Sequence, residues 1–316
     1  MRAAYVGDPS TSDPAAAVEI GELDPAAPRE GFVDVQVRAG ALNMHDVWML
    51  RGAVPLPTSR TVLGSDGAGV SAGRDVVVYP VLPLADPGRN VAHGTLVSDL
   101  GHGLLAESAL VPTGSVFAMP AHLSYPEAAA LPTAWLTAYR MLASQGRLQP
   151  GETVLVQGAG GGVATAAIAL AGALGARVVV ASRSPEKAER ALALGADLVV
   201  ASGERLPEQV DVVVETVGPA TFGHSVASAR VGARIVVCGS STGFTAELDL
   251  AKVFARELTV VGSTTGSRAE FGEMLALVER HQLRPVVDSI TELDGVADQV
   301  RRMLDGSAFG KLCVTL

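Results

Sequence analysis

The stretch VLVQGAGGGVA, residues 154–164, decides how the rest of the chain is read. An apolar, strand-like run ends in a glycine-rich turn, and the small apolar residues of 165–175 follow with helix-forming character. A second apolar run, RVVVAS at 177–182, comes next. A buried parallel strand that turns tightly into a helix N-terminus makes an anion site: glycines let the backbone approach a pyrophosphate, and free N–H groups and the helix dipole neutralise it. Gly158, Gly160, Gly161, Gly162, Val163 and Ala164 are therefore the candidate residues of a dinucleotide loop. The alternative is an ordinary structural turn, against which the strand–helix–strand context weighs.

Outward from this loop the pattern stays regular. Apolar runs at 197–200, 210–216, 233–239 and 258–263 alternate with helical stretches such as 185–194 and 268–281. Val- and Ile-rich runs between helices predict a parallel sheet, and six such strands make a complete doubly wound, Rossmann-type α/β fold. The first ~120 residues differ, with short alternating segments at 32–43, 75–81 and 104–112 that predict an irregular, mainly antiparallel β domain. Polar Pro/Gly-containing stretches at 9–14 and 85–90 read as loops. Ser124-Tyr125-Pro126-Glu127 has the form of a capping box, and Pro132 predicts a break in the helical run after it. The tail ending in Phe309-Gly310-Lys311 returns to β character and is expected to pair back into the first domain.

The 316 residues suit about two domains of ~150 residues each. Hydrophobic content of 48% supports large cores, yet no apolar run reaches the ~18 residues of a membrane span. The first residues lack signal-peptide form, so the expected location is cytoplasmic. Lys and Arg number 24 against 33 Asp and Glu, a net charge of −9 with no basic block, which disfavours nucleic acid as a partner. Cys238 and Cys313 lie in apolar runs and are expected to be buried, reduced thiols, and no Cys/His spacing suggests a metal.

The second strand of a dinucleotide fold usually ends in an acid that binds the adenosine ribose. Here it ends Ala181-Ser182-Arg183-Ser184, and the nearest acid, Glu186, is better explained as the first-turn acid of a helix capped by Ser184 with Pro185 at its first position. A 2′-phosphate held by Arg183, Ser182 and Lys187 is the expectation, hence NADP(H) rather than NAD(H). A solvated charged face is the alternative for Arg183 and Lys187.

The pieces ALNMHDVWMLRG (41–52), VLGSDGAGV (62–70), EAAALPTAWLTAYRML (127–142), the glycine loop, EKAERALALGAD (186–197) and the closing FGK (309–311) resemble, in order and spacing, the medium-chain dehydrogenase/reductase superfamily, in particular its zinc-free quinone oxidoreductase-like branch. The resemblance implies a GroES-like catalytic domain at about 1–121, completed by 285–316, and a Rossmann domain at about 122–284. It places Thr216, Val217, Gly239, Ser240, Ser263 and Thr264 along the coenzyme edge, with Lys311 near the coenzyme. It also implies a homodimer paired through the edge strand 258–263. The positions matching the family's catalytic zinc ligands are Asn43, Ser65 and Thr133, none a thiolate or imidazole, and the cysteine-rich structural-zinc loop is missing, so no metal is expected. The segment after Gly69 is shortened.

Without a metal electrophile, acceptors that are already activated become the expected small-molecule substrates. These are quinones and α,β-unsaturated carbonyls, which take hydride at carbon while hydrogen bonds stabilise the developing enolate or phenolate. His45 matches the family's proton-relay position and is the candidate acid, with a hydrogen-bonded structural role as the alternative. Asn43 and Thr133 are the other candidate catalytic residues. Asp46 is expected to order a turn, Asp66 to replace a family glutamate, and Trp135 either to shape a pocket or to pack in the core. His93, His102 and Tyr79 are expected at the surface or in packing. The alternative activities are a metal-free carbonyl or alcohol dehydrogenase and a non-redox protein that retains the fold, such as a cyclase or binding module.

Overall fold

The structure, a computed structural model, describes residues 1–83, 94–101 and 103–316. The expected loop at 85–90, His93 and His102 lie outside the described residues. Two compact units are present, residues 1–134 with 267–316, and residues 135–266.

The second unit is built on a six-stranded parallel sheet. Across it the strands run Leu198–Ala201, Arg177–Ser182, Thr153–Gln157, Val210–Glu215, Ala229–Val237 and Thr259–Gly262. In chain order that is third, second, first, fourth, fifth, sixth, the doubly wound order the apolar runs predicted. Every residue of Val210–Glu215 is buried, as a central parallel strand covered on both faces requires. The fifth strand begins at Ala229, four residues before the apolar run that announced it. The loop after the first strand turns through Gly158 at φ +83°, the left-handed region that glycine tolerates without strain. The helix Gly162–Ala173 then buries Ala164, Ala166, Ala167 and Ala171, small side chains that let it lie close to its neighbours.

In the first unit a mainly antiparallel sheet joins seven strands. Phe32–Ala41 is central, pairing with Asp66–Ser71, with Ser108–Pro112 and with the closing strand Lys311–Thr315. Of the predicted run 104–112 only the second half is a strand. Leu104 and Leu105 instead bond through their amides to the Gly64 and Leu63 carbonyls and are fully buried. The core of this unit includes Val47, Met49, Leu50, Leu63, Leu105, Val296 and Val300.

The helical run after the Ser124 capping box breaks as Pro132 predicts, into Tyr125–Ala129 and Ala134–Tyr139, the latter continuing as a π-helical turn Arg140–Gln145. The contact-defined units divide at 134/135 and 266/267, within the stretch that the sequence assigned to the nucleotide domain. The reason is local packing. Phe271 on the helix Arg268–His281 stacks on Tyr79 and Phe117 at centroid distances of 5.6 and 5.0 Å, and Arg284 bonds Glu127 at 2.8 Å. Among the described residues no helix is long and apolar enough to cross a membrane.

Candidate active site

Asn43, His45, Asp46, Asp66, Thr133 and Lys311 all belong to the first unit, and the fold wires most of them together. Asn43 is the N-cap of the helix Met44–Leu50. Asp46, three residues on, accepts the Asn43 N–H at 2.7 Å and the Gly64 N–H at 2.8 Å. It is 1% exposed and orders the turn, as expected, and burial pushes its carboxyl above the ordinary range. Gly64, at φ +89°, can present that N–H because it has no side chain; a Cβ would fall 2.7 Å from Leu105 Cγ.

Asp66, fully buried at the head of its strand, is the hub. Its Oδ1 accepts from the Thr133 amide at 2.8 Å and the Thr133 hydroxyl at 2.5 Å, and its Oδ2 accepts from Asn43 Nδ2 at 2.9 Å and Lys311 Nζ at 3.0 Å. Lys311 Nζ also donates to the Leu42 carbonyl at 2.7 Å and to Asn43 Oδ1 at 2.6 Å, so its three N–H bonds are all used. Lys311 is 4% exposed. The sequence placed it near the coenzyme; in the structure its ammonium bonds Asn43 and Asp66. The FGK motif gains a physical reason as well. Gly310, at φ +106°, leads the chain to Lys311 where an added Cβ would fall 2.3 Å from the Val286 carbonyl.

An ammonium only donates and a carboxylate only accepts, so the Asn43 amide orientation is fixed between them. Its second Nδ2 hydrogen is left as the group it can offer to a substrate oxygen. Ser65, at the remaining ligand-matching position, bonds Ser98 Oγ at 2.6 Å, both buried. A catalytic zinc does not fit this set. The three positions carry an amide and two hydroxyls, and the Lys311 ammonium bonds the amide. Among the described residues no group of three or more His, Cys, Asp or Glu side chains can hold a metal.

His45 stands on the same helix, half-buried, with Nε2 2.5 Å from Asp99 Oδ1 and its ring edge-to-face on Trp48 at 6.2 Å. Burial disfavours the imidazolium, but the hydrogen bond and charge of Asp99, with the charge of Asp46, outweigh it, so the pKa stands above the ordinary 6.5. Burial also raises Asp99, yet the imidazole, Thr95 and the Leu96 amide prevail and hold it below the ordinary 3.8. Both shifts describe one ion pair. Asp99 carried no signal in the sequence, since no motif links it to a histidine 54 residues earlier.

In the second unit the strand ends bring Gly158, Arg183, Thr216 and Ser263 to the carboxyl edge of one parallel sheet, each directly after its strand. The N–H groups of Gly162, Val163 and Ala164 precede the first helical bond, from the Thr165 amide to the Gly161 carbonyl at 3.0 Å, and face no helical acceptor. A Cβ on Gly161 would meet nothing within 4 Å, the open approach that a pyrophosphate needs. A Cβ on Gly239 would fall 2.5 Å from the Thr216 carbonyl, so only glycine lets the fourth and fifth strand ends close up. Fully buried Glu215 fixes the turn beside them by accepting the Val217 and Gly218 amides at 2.8 and 3.0 Å. Sequence reasoning missed that residue because it lay inside an apolar run. Val217 offers its carbonyl to Thr242, and Ser240 lies on the following turn.

The second strand ends as the sequence indicated. Ser184 caps the helix Pro185–Ala193, its hydroxyl accepting from the Lys187 amide at 3.3 Å, with Pro185 at the first position. Ser182 Oγ is held against Ser184, and Arg183 is exposed and has no ion-pair partner among the described residues. Trp135 is 1% exposed and Tyr79 5%, which assigns both to packing. Cys313 is buried as expected, whereas Cys238 is only half-buried, and desolvation pushes both thiols up to about 12.

Residues 162–280 match the family profile described as zinc-binding dehydrogenase. Acryloyl-coenzyme A reductase of Metallosphaera sedula is 30% identical, over 94% of this chain and 96% of its own length. Among solved structures, an NAD-dependent alcohol dehydrogenase superposes with a TM-score of 0.92 at 32% identity, covering 100% of both chains. A 2-octenoyl-CoA carboxylase reductase in complex with NADP and 2-octenoyl-CoA superposes with a TM-score of 0.90 at 26% identity, covering 99% of this chain and 87% of its own.

Proposed function

The chain is an oxidoreductase of the medium-chain dehydrogenase/reductase superfamily, and from that premise we propose that it is an NADPH-dependent, zinc-independent reductase of α,β-unsaturated carbonyl compounds. The observation that carries the reading is that the positions matching a metal-ligand set hold Asn43 and Thr133, tied to Asp66 and Lys311, and Ser65, bonded to Ser98. Without a Lewis acid, an acceptor already polarised by conjugation is the one within reach. The names of the acryloyl-coenzyme A reductase and of the 2-octenoyl-CoA complex support an acyl thioester as the substrate class.

NADPH supplies the hydride when bound. The glycine loop and the N-terminus of Gly162–Ala173 would hold its pyrophosphate, and Ser182 and Arg183 would hold its 2′-phosphate. Asn43 Nδ2 donates to the substrate carbonyl oxygen, where negative charge develops as the β-carbon accepts hydride. Thr133 keeps Asp66, and through it Asn43, in register. His45 Nδ1 gives a proton to the enolate, and the imidazole is reprotonated from solvent. The sum is one hydride and one proton added across the C=C bond.

Loss of NADPH absorbance with crotonyl-CoA and with simple enones, in chelator-treated protein, is the test. Turnover with a saturated ketone alone, or activity that requires stoichiometric zinc, overturns the reading; a quinone serves as the competing acceptor. In the same assay Arg183→Ala is expected to raise KM for NADPH roughly ten- to hundredfold, because a hydrogen bond to a charged group is worth about 1.5–3 kcal/mol. KM for NADH should stay unchanged.

A homodimer is part of the proposal. The strand Thr259–Gly262 is the outer strand of its sheet, so one row of its N–H and C=O groups has no strand partner among the described residues. Val260, Phe254, Leu250 and Phe244, on or before it, are 40, 75, 69 and 90% exposed. Light scattering should give twice the chain mass for the parent protein and a monomer for Val260→Lys.

A further inference from the structure

We propose that Asp99 is a positioning residue that sets which nitrogen of His45 carries the transferable proton, an inference that rests on the reading of His45 as the proton donor. The two oxygens of Asp99 face different groups. Oδ1 lies 2.5 Å from His45 Nε2, while Oδ2 accepts the Thr95 hydroxyl at 2.9 Å and the Leu96 amide at 3.2 Å. One side-chain and one backbone donor therefore hold the carboxylate in one rotamer, and that rotamer aims Oδ1 at the imidazole. An ionised carboxylate only accepts, so Nε2 must carry a hydrogen in every charge state of the ring. The mobile proton is then the one on Nδ1. Ring rotation is opposed by the edge contact with Trp48. Among the described residues the charged groups near His45 are Asp99, from the turn Val97–Leu100, and Asp46, from its own helix, and Asp46 is already occupied by two backbone amides. Asp99 is thus the one free to fix the tautomer.

This arrangement makes the substitution Asp99→Asn unusually informative. The Thr95 hydroxyl and Leu96 amide both need an acceptor, so the asparagine must place its carbonyl oxygen toward them and its NH₂ toward His45. A donor facing Nε2 forces that nitrogen to accept, which moves the ring hydrogen to Nδ1 in a neutral imidazole. The catalytic face then carries N–H on a ring that is a poor acid, because its conjugate base is the imidazolate.

The experiment is nitrogen-15 NMR of the histidine rings in the uncomplexed full-length protein, with His45→Gln used to assign the His45 signals, alongside turnover of NADPH with crotonyl-CoA. In the parent protein Nε2 is expected to be protonated at every pH. In Asp99→Asn the neutral ring is expected to be protonated at Nδ1, with kcat lowered about 10–100-fold, the usual cost of removing an orienting partner, and KM for NADPH unchanged. Asp99→Glu, which keeps the carboxylate, is expected to restore the Nε2–H form and part of kcat. Should Asp99→Asn leave Nε2 protonated, Asp99 does not set the tautomer and the inference falls. A tautomer change with undiminished kcat instead removes His45 as the proton donor, and with it any role of Asp99 in the reaction.

Discussion

His45→Ala is expected to lower kcat by about 10²-fold or more while the dissociation constant for NADPH barely moves, because removing a positioned general acid typically costs 10²–10⁴ and the glycine loop belongs to the other unit of the chain. Steady-state kinetics and coenzyme titration by fluorescence together check both halves, and undiminished turnover eliminates His45 from the chemistry. The pH profile gives a second signature. The active form is the imidazolium, so kcat in the parent should be level at low pH and fall by about tenfold per unit above the His45 pKa. Asp99 and Asp46 overcome the burial penalty and place that pKa above 6.5, so the fall begins on the alkaline side of an ordinary histidine. The alanine variant should lose this limb. Stability follows the same pair with definite signs. The raised His45 pKa contributes stability that is full below about 6.5 and lost as pH rises through the folded value. The depressed Asp99 pKa contributes stability present above 3.8 and lost as pH falls through its folded value. Between about pH 4 and 6.5 both contributions are present.

Lys311→Met is expected to destabilise the protein by about 3–5 kcal/mol, measured by urea unfolding, because it strands a fully buried carboxylate without its cation. The loss has three parts: the Asp66 ion pair, the fixed orientation of Asn43, and the partner of the Leu42 carbonyl. Pairing it with Asp66→Asn should recover much of the loss. With the ammonium gone, the Asn43 amide is free to turn over and accept from the new amide, while the asparagine oxygen still accepts from Thr133. If Lys311→Met alone leaves stability unchanged, the ion pair is not the anchor described here. Activity should stay low in the double variant even when stability returns, since the Asn43 oxygen, rather than its N–H, would then face the site.

Much of this molecule was legible in the order of its residues. Six apolar runs separated by helical stretches, with Gly158 at the first turn, dictate a doubly wound sheet, because parallel strands buried on both faces leave that imprint directly in composition. Ser184 and Pro185 before Glu186 likewise stated their capping role, which is a contact between near neighbours in the chain. Asn43, Ser65 and Thr133 were identified through the family resemblance as positions lacking metal-binding chemistry. Folding decided the partnerships. Lys311 lies 245 residues from Asp66 and Asp99 lies 54 from His45, and hydrogen bonds across such separations leave no periodic trace. They arise because the closing strand pairs beside Phe32–Ala41 and because the turn after Leu96 is pinned by its own amide. That a lysine near the end of the chain neutralises a carboxylate buried on another strand follows from which strand it borders, and only the tertiary structure sets that.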